Sequence, residues 1–100
     1  MYDLIPAEIW LYVLKQMEIE SWIINWLEDN AGIEKDEILK KNEENYLELG
    51  WIDSLKFISF ITDIEETFKI RFSNDVFQDR DFSTVKGLSK IINGYSNEQN

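Results

Sequence analysis

The chain has no cysteine and no histidine among its 100 residues. Without cysteine it can form no disulfide, no thiolate nucleophile and no zinc–sulfur site. Without histidine it cannot build a Ser–His–Asp triad, and it lacks the side chain that most often transfers protons near neutral pH. We therefore expect no catalytic residue, no metal site and no enzymatic activity of the chain's own.

Long apolar runs are also missing, and no segment approaches the length of a membrane span. The start of the chain, "MYDLIPAEIWLYVLKQ", lacks the basic region and the small-residue cleavage site of a secretory signal. We therefore expect a cytoplasmic protein that is not inserted in a membrane.

Basic residues are few, because 10 lysines and arginines face 20 aspartates and glutamates, giving a net charge of −10. A nucleic-acid reader normally has a basic face, and this chain lacks the charge for one. Anionic membranes would also repel it. The acidity either attracts basic partner surfaces and steers their encounter, or it only keeps the protein in solution.

The residues that are present can build one small domain, because 44% of them are hydrophobic and 14% are aromatic. Residues 1–16 predict a short helix, since Pro6 suits a first turn and an apolar stripe follows it. Residues 18–31 carry a second stripe in a different phase. We therefore expect a bend or break between residues 16 and 19, or one helix that buries two faces. Gly32 suits the cap that ends this pattern.

The segment from Gly32 to Asp53 has no sustained period and predicts a long ordered loop, in which "KDEILKK" forms a turn or two of helix. The apolar residues expected to pin this loop onto the core are Ile33, Ile38, Tyr46, Leu47 and Leu49. From Ser54 to Phe68 the helical period returns, and Asp53 is placed as its N-cap or as the residue just before the N-cap.

The remainder predicts three elements and a tail. "FKIRF" indicates an extended connector, and "SNDVFQD" indicates a short helix that is capped by Ser73. "STVKGLSKII" predicts a last helix that ends near Gly94, after which the tail should fray. The predicted fold is a small all-α bundle with a long first loop and an additional N-terminal helix.

Ser54 is the candidate for chemistry, because it follows the Asp53 cap at a predicted helix start. No histidine of the chain can activate its hydroxyl, so any reaction would need an external enzyme. The plainer alternative is that Ser54 is only a helix-start residue.

Three segments in order resemble the acyl carrier protein family, whose fold is a four-helix bundle. "LGWIDSL" resembles the phosphopantetheine attachment motif of that family, Leu-Gly-x-Asp-Ser-Leu. "IEETFKIRF" and "FSTVKGLSKII" resemble the acidic helix end and the last helix of its members. The resemblance divides the chain into a helical extension at residues 1–16, a carrier domain at residues 17–94 and a flexible tail at residues 95–100.

The resemblance implies that Ser54, with Asp53 beside it, bears a covalent 4'-phosphopantetheine arm. A separate transferase would take the arm from coenzyme A with magnesium, and acyl groups would be carried as thioesters on its thiol. The expected partners are this transferase and acyl-transferring or acyl-activating enzymes. The residues expected to contact partners are Leu55, Lys56, Ile58, Asp63, Glu65 and Glu66. The residues expected to line a cargo pocket are Ile58, Ile61, Val76 and Phe77.

The chain also departs from the common fatty-acid carriers. "LGWIDSL" has one extra residue, Lys56 stands where those carriers commonly have an acid, and Ser59 replaces another. This indicates a dedicated lipid, polyketide or related pathway. An aminoacyl or peptidyl carrier and an unmodified helical interaction module are the alternatives. Residues 1–16 are either an appended helix or a site for partner docking or self-association.

Overall fold

The computed structural model describes residues 6–98 and the side chains of residues 6–96. In this range the chain is helical, with no strand. The four α-helices are α1 (Ala7–Ala31), α2 (Lys35–Lys40), α3 (Ser54–Phe68) and α4 (Val85–Glu98), and two 3₁₀ turns span Asn74–Gln78 and Arg80–Ser83. The predicted all-α bundle is confirmed. None of the described helices is long and apolar enough to cross a membrane.

The core lies between α1, α3 and α4, each of which turns one apolar stripe inward at spacings of three and four residues. Its fully buried members on these helices are Ile19, Ile23, Leu27, Phe60, Ile64, Val85, Leu88 and Ile92. Burial of each such side chain stabilises the fold by about 1.5–3 kcal/mol. The helices therefore form together, because none of them could bury its stripe alone.

The expected break between residues 16 and 19 is wrong, because α1 is one continuous helix of 25 residues. No proline or glycine interrupts residues 7–31, so nothing local stops the helix. The phase difference between the two stripes does not require a bend, because the first stripe does not enter the core: Trp10 and Leu14 stay about half exposed. The additional N-terminal helix is thus the first part of α1. Gly32 caps α1 as predicted, in a left-handed conformation with φ +70°.

The last helix continues past its predicted end at Gly94 and stops at Glu98. Tyr95 explains the extension, because its ring packs edge-on against Phe72 at 5.2 Å and its hydroxyl accepts a 3.0 Å hydrogen bond from the Ser73 N–H. The expected fraying is therefore wrong for residues 95–98. Residues 99–100 lie outside the described residues.

The connecting segments follow the predictions with two exceptions. The loop from 32 to 53 contains α2 and is pinned by the buried Ile38 and Tyr46, but Leu47 is 40% exposed and does not pin it. The connector after α3, residues 70–73, has no regular secondary structure, and it buries Ile70 and Phe72. The predicted short helix forms as 3₁₀ turns rather than an α-helix.

Candidate functional site

The start of α3 presents Ser54 to solvent. Asp53 is the N-cap, and its Oδ1 accepts a 2.8 Å hydrogen bond from the Lys56 N–H. Its carbonyl oxygen accepts another from the Phe57 N–H at 2.8 Å. Ser54 is the first helical residue and is exposed, and none of the described side chains hydrogen-bonds to its hydroxyl. The Ser54 hydroxyl is therefore reachable by an external enzyme, at a helix end that favours a phosphate.

A backbone hydrogen bond and a buried side chain hold the turn that precedes Ser54. Gly50 adopts φ +77°, a conformation that glycine takes at little cost, and this lets the Trp51 N–H donate to the Tyr46 carbonyl at 3.1 Å. Ile52 is 4% exposed and anchors the chain in the core two residues before Ser54. Sequence reasoning did not single out Ile52, although an apolar residue just before a cap is a recurrent helix-start feature.

Tyr46 holds the long loop on the bundle. Its side chain is fully buried, and its hydroxyl donates a 2.7 Å hydrogen bond to the Phe82 carbonyl. Its N–H donates to the Ser83 carbonyl at 2.9 Å, and its ring meets Phe60 edge-on. Burial raises the pKa of Tyr46 well above its usual value, because the phenolate would be desolvated. The loop that carries the approach to Ser54 is thus tied to the core rather than mobile on it.

Lys56 is engaged with α1. Its Nζ donates a 2.5 Å hydrogen bond to the carbonyl of Asn30, near the C-terminal end of α1. A cation is favourable at a helix C-terminus, because the carbonyl groups there have no intrahelical partners. Lys56 therefore connects the start of α3 to the end of α1.

The three acids expected to meet partners differ in their surroundings. Asp63 accepts a 2.8 Å hydrogen bond from Trp26 Nε1, and Glu65 accepts a 2.9 Å hydrogen bond from the Phe72 N–H. Both are half-buried, whereas Glu66 is exposed. Asp63 and Glu65 thus hold α3 to α1 and to the connector.

Leu55 and Ile58 are the most accessible apolar residues of α3, at 77% and 63% exposure. They are three residues apart and share one side of the helix. The neighbouring side of α3 faces the core, and its residues Phe60 and Ile64 are fully buried. An apolar patch therefore begins one residue after Ser54.

A small apolar cleft of about 180 Å³ lies beside this patch, lined by Phe57, Ile58, Ile61, Thr62 and Phe77. It brings together three of the four residues predicted for the cargo pocket. The fourth, Val76, packs against the core and does not line the cleft. Thr62 was not predicted, because a threonine on the flank of an apolar stripe carries no signal of its own.

A wider groove of about 600 Å³ lies between the first loop and the start of α4, with charged walls that include Glu43, Arg80, Lys86 and Lys90. A salt bridge of 3.2 Å joins Lys86 to Glu43 across it. Its lining shares no residue with the apolar cleft or with the start of α3, and its polarity does not suit an apolar chain. Among the described residues, no group of three acids could hold a metal ion.

A comparison with protein families identifies the family of this chain. The family described as "phosphopantetheine attachment site" matches residues 21–92. The chain belongs to this family, the carrier domain of acyl carrier proteins. Neither the comparison with curated proteins nor that with solved structures gave a significant match.

Carrier domains of this family bear a covalent 4'-phosphopantetheine group and are generally carriers rather than catalysts. The start of α3 fits that group, because the exposed Ser54 hydroxyl stands beside backbone N–H groups of the first turn. The resemblance and the cofactor inferred from the sequence are thereby confirmed.

Proposed function

We propose that Ser54 is the attachment residue of a carrier protein for acyl intermediates. One observation carries the proposal: within the matched residues 21–92, Ser54 is an exposed serine at the first turn of an N-capped helix. Ser59 is also exposed on α3, but it lies in the middle of the helix, where the N–H groups are already paired. A phosphate on Ser54 would be stabilised by the helix start, and one on Ser59 would not.

The modification needs a partner enzyme. As the phosphodiester forms, the Ser54 oxygen bonds to the phosphorus of the arm, the pyrophosphate bond of coenzyme A breaks, and adenosine 3',5'-bisphosphate leaves. The Ser54 hydroxyl must lose its proton in this step, and the chain has no histidine to accept it. Asp53 already accepts the Lys56 N–H through Oδ1. A separate phosphopantetheinyl transferase, acting in the cytoplasm with coenzyme A and magnesium, would therefore supply both the base and the arm. When bound, the arm supplies a thiol that this cysteine-free chain otherwise lacks.

The partner surface begins at the exposed pair Leu55 and Ile58. The exposed Glu66 lies eight residues, or about 12 Å, along α3 from Ile58. An apolar patch and an acid at this separation suit a partner with an apolar pocket and a basic rim. Glu66 is the acid best placed to meet such a rim, because its carboxylate is exposed, whereas Asp63 and Glu65 are hydrogen-bonded within the chain. Partners would thus contact two apolar side chains, Leu55 and Ile58, and one carboxylate, that of Glu66.

The cleft beside Ile58 and Ile61 is the proposed site for the start of the cargo. Its walls are almost entirely apolar, so an alkyl chain would gain about 0.8 kcal/mol for each buried methylene. A charged aminoacyl group would gain nothing there and would lose hydration. The cleft therefore favours acyl intermediates of a dedicated lipid, polyketide or related pathway over amino acids.

The proposal is tested by incubating the purified chain with coenzyme A, magnesium and a transferase of broad specificity. Intact mass should rise by one phosphopantetheinyl group for the wild type and for Ser59→Ala, and remain unchanged for Ser54→Ala. A chain that gains no mass under conditions that load a known carrier would instead be an unmodified interaction module with the carrier fold.

A further inference from the structure

The first half of α1 exposes a group of large apolar side chains that the carrier bundle does not cover. Their exposures lie between 38% and 67%, and the residues are Ile9, Trp10, Leu11, Tyr12, Val13, Leu14 and Met17. Contiguous apolar surface of this kind marks an interaction site in a protein with a charged exterior. The family match begins at residue 21, so the bundle does not account for it.

Three of these residues face directly away from the bundle. Nine residues of an α-helix make two and a half turns, so positions nine apart lie on opposite sides. Trp10, Leu14 and Met17 each stand nine residues before a buried residue, namely Ile19, Ile23 and Trp26. We call Trp10, Leu14 and Met17 the outer stripe. Beyond Met17 the same side of α1 becomes polar, with the exposed Ser21 and Asn25.

The inner side of this half-helix is already occupied by α4. Asn93 Nδ2 donates to the Tyr12 carbonyl at 3.2 Å and to Gln16 Oε1 at 3.1 Å. Gln16 Nε2 donates to Ser89 Oγ at 2.7 Å. Because polar contacts hold residues 12–16 against α4, the outer stripe is not a misplaced core face. It needs an occupant from outside the bundle.

We propose that this occupant is a second copy of the chain, paired antiparallel through the outer stripe. With a two-fold axis near Tyr12, Trp10 of each copy faces Leu14 of the other. The helix from 7 to 17 carries one Glu8 and one Lys15, so its local charge is zero although the chain carries −10. Two such surfaces can therefore meet without charge repulsion between the residues in contact, although each chain as a whole is acidic.

The antiparallel arrangement follows from the charge at the start of α1. The N-terminal end of a helix carries a partial positive charge, and in a parallel pair the two ends would lie side by side and repel each other. In the antiparallel pair the two Ala7 residues are about 15 Å apart along the axis, since ten residues of 1.5 Å separate them. The bundles lie on the far sides of the pair in either arrangement, because the outer stripe faces away from α4.

The area indicates a weak dimer. The three residues of the outer stripe and the flanking Leu11 and Val13 are five side chains, and each of them exposes on the order of 100 Å². Two copies would therefore bury roughly 1,000 Å² together, which is at the lower end of specific interfaces. Dimerisation would leave both attachment sites free. Lys56 contacts Asn30, about 30 Å along α1 from Trp10, so the two Ser54 residues lie at opposite ends of the pair.

Sedimentation equilibrium of the full chain over a hundredfold concentration range tests the dimer. The apparent mass of the wild type should rise from 11.9 kDa toward twice that value. Leu14→Glu should stay monomeric. Leu39→Glu, which makes the same charge change at a 44% exposed leucine of α2, should behave as the wild type does. A monomeric wild type, or a Leu14→Glu variant that associates as Leu39→Glu does, would overturn the proposal.

A mixing experiment tests the register. Trp10→Lys and Leu14→Glu should each be monomeric and should retain the helical circular dichroism of the wild type. Mixed together, they should form a heterodimer, because the antiparallel pair places Lys at position 10 opposite Glu at position 14. In a parallel pair equal positions face each other, so the mixture would stay monomeric. A monomeric mixture would contradict the antiparallel pair.

Discussion

Trp26 on α1 donates a 2.8 Å hydrogen bond from its indole N–H to the carboxylate of Asp63 on α3. The same indole ring stacks on Phe60 with ring centres 4.6 Å apart. One acid of the helix that carries Ser54 is therefore used to hold that helix in place. Asp63 therefore serves the fold, whereas Glu66 is the acid that we propose to meet partners.

Replacing Asp63 should affect stability more than partner recognition. Asp63→Ala removes a half-buried hydrogen bond to a charged acceptor, and we expect a loss of about 1–2 kcal/mol in the free energy of unfolding. Urea denaturation measures this loss, with Glu66→Ala as the control that stays within about 0.5 kcal/mol of the wild type. Equal stabilities of the two variants would show that the Trp26–Asp63 bond contributes nothing.

Replacing Glu66 should affect partner encounter instead. Glu66→Lys leaves the intramolecular contacts of α3 intact and reverses one exposed charge, so the transferase should modify this variant more slowly at low salt. The difference should shrink as salt is added, because exposed charges are screened. Rates of modification for wild type and variant across a salt series measure it. A salt-independent difference, or none, would mean that no basic rim meets Glu66.

Much of this site follows from local sequence signals. Gly32 as a helix end and Asp53 as an N-cap were predicted, because cap residues act within one turn of the chain and leave a local pattern. The place of Ser54 at the first turn of α3 follows from the same signals.

The other features of the fold and the site depend on contacts between residues that are distant in sequence. The extension of α4 past Gly94 depends on Tyr95 meeting Phe72 and Ser73. The periodicity of α3 alone does not distinguish its exposed apolar side from its buried one. The exposure of Leu55 and Ile58 depends on which side packs against the other helices. The sequence pattern of α3 does not indicate the hydrogen bonds of Asp63 and Glu65, because most acids on a helix are solvated.

Tyr46→Phe should loosen the loop that leads to Ser54. The variant keeps the ring and leaves the Phe82 carbonyl without its buried donor, which should cost about 1–3 kcal/mol. Urea denaturation at neutral pH measures the loss. An unchanged stability would indicate that water replaces the hydroxyl.

The same residue predicts a pH dependence. The raised pKa of Tyr46 in the folded state means that folding favours its protonated form. Its contribution is complete below the unfolded value near 10 and is lost as the pH rises above it, by up to about 1.4 kcal/mol per pH unit. Unfolding free energies from pH 9 upward should therefore fall more steeply for wild type than for Tyr46→Phe, which keeps the other tyrosines. Parallel profiles would contradict this.

Loading the arm with longer acyl chains should raise the melting temperature. Each methylene that enters the cleft beside Ile61 contributes about 0.8 kcal/mol, until the small volume is filled. Calorimetry of a series of acyl thioesters on the same carrier measures the increments. Ile61→Ser, which makes the cleft wall polar, should flatten the series. A melting temperature independent of chain length in the wild type would mean that the cargo stays in solvent.

Peptide mass mapping after modification tests the central claim most directly. Trypsin cleaves after Lys41, Lys56 and Lys69, so Ser54 is the sole serine of peptide 42–56, and Ser59 is the sole serine of peptide 57–69. After incubation with coenzyme A, magnesium and transferase, peptide 42–56 should carry one phosphopantetheinyl group and peptide 57–69 should be unchanged. The group on peptide 57–69, or on any other peptide of a fully digested sample, would contradict the assignment of Ser54.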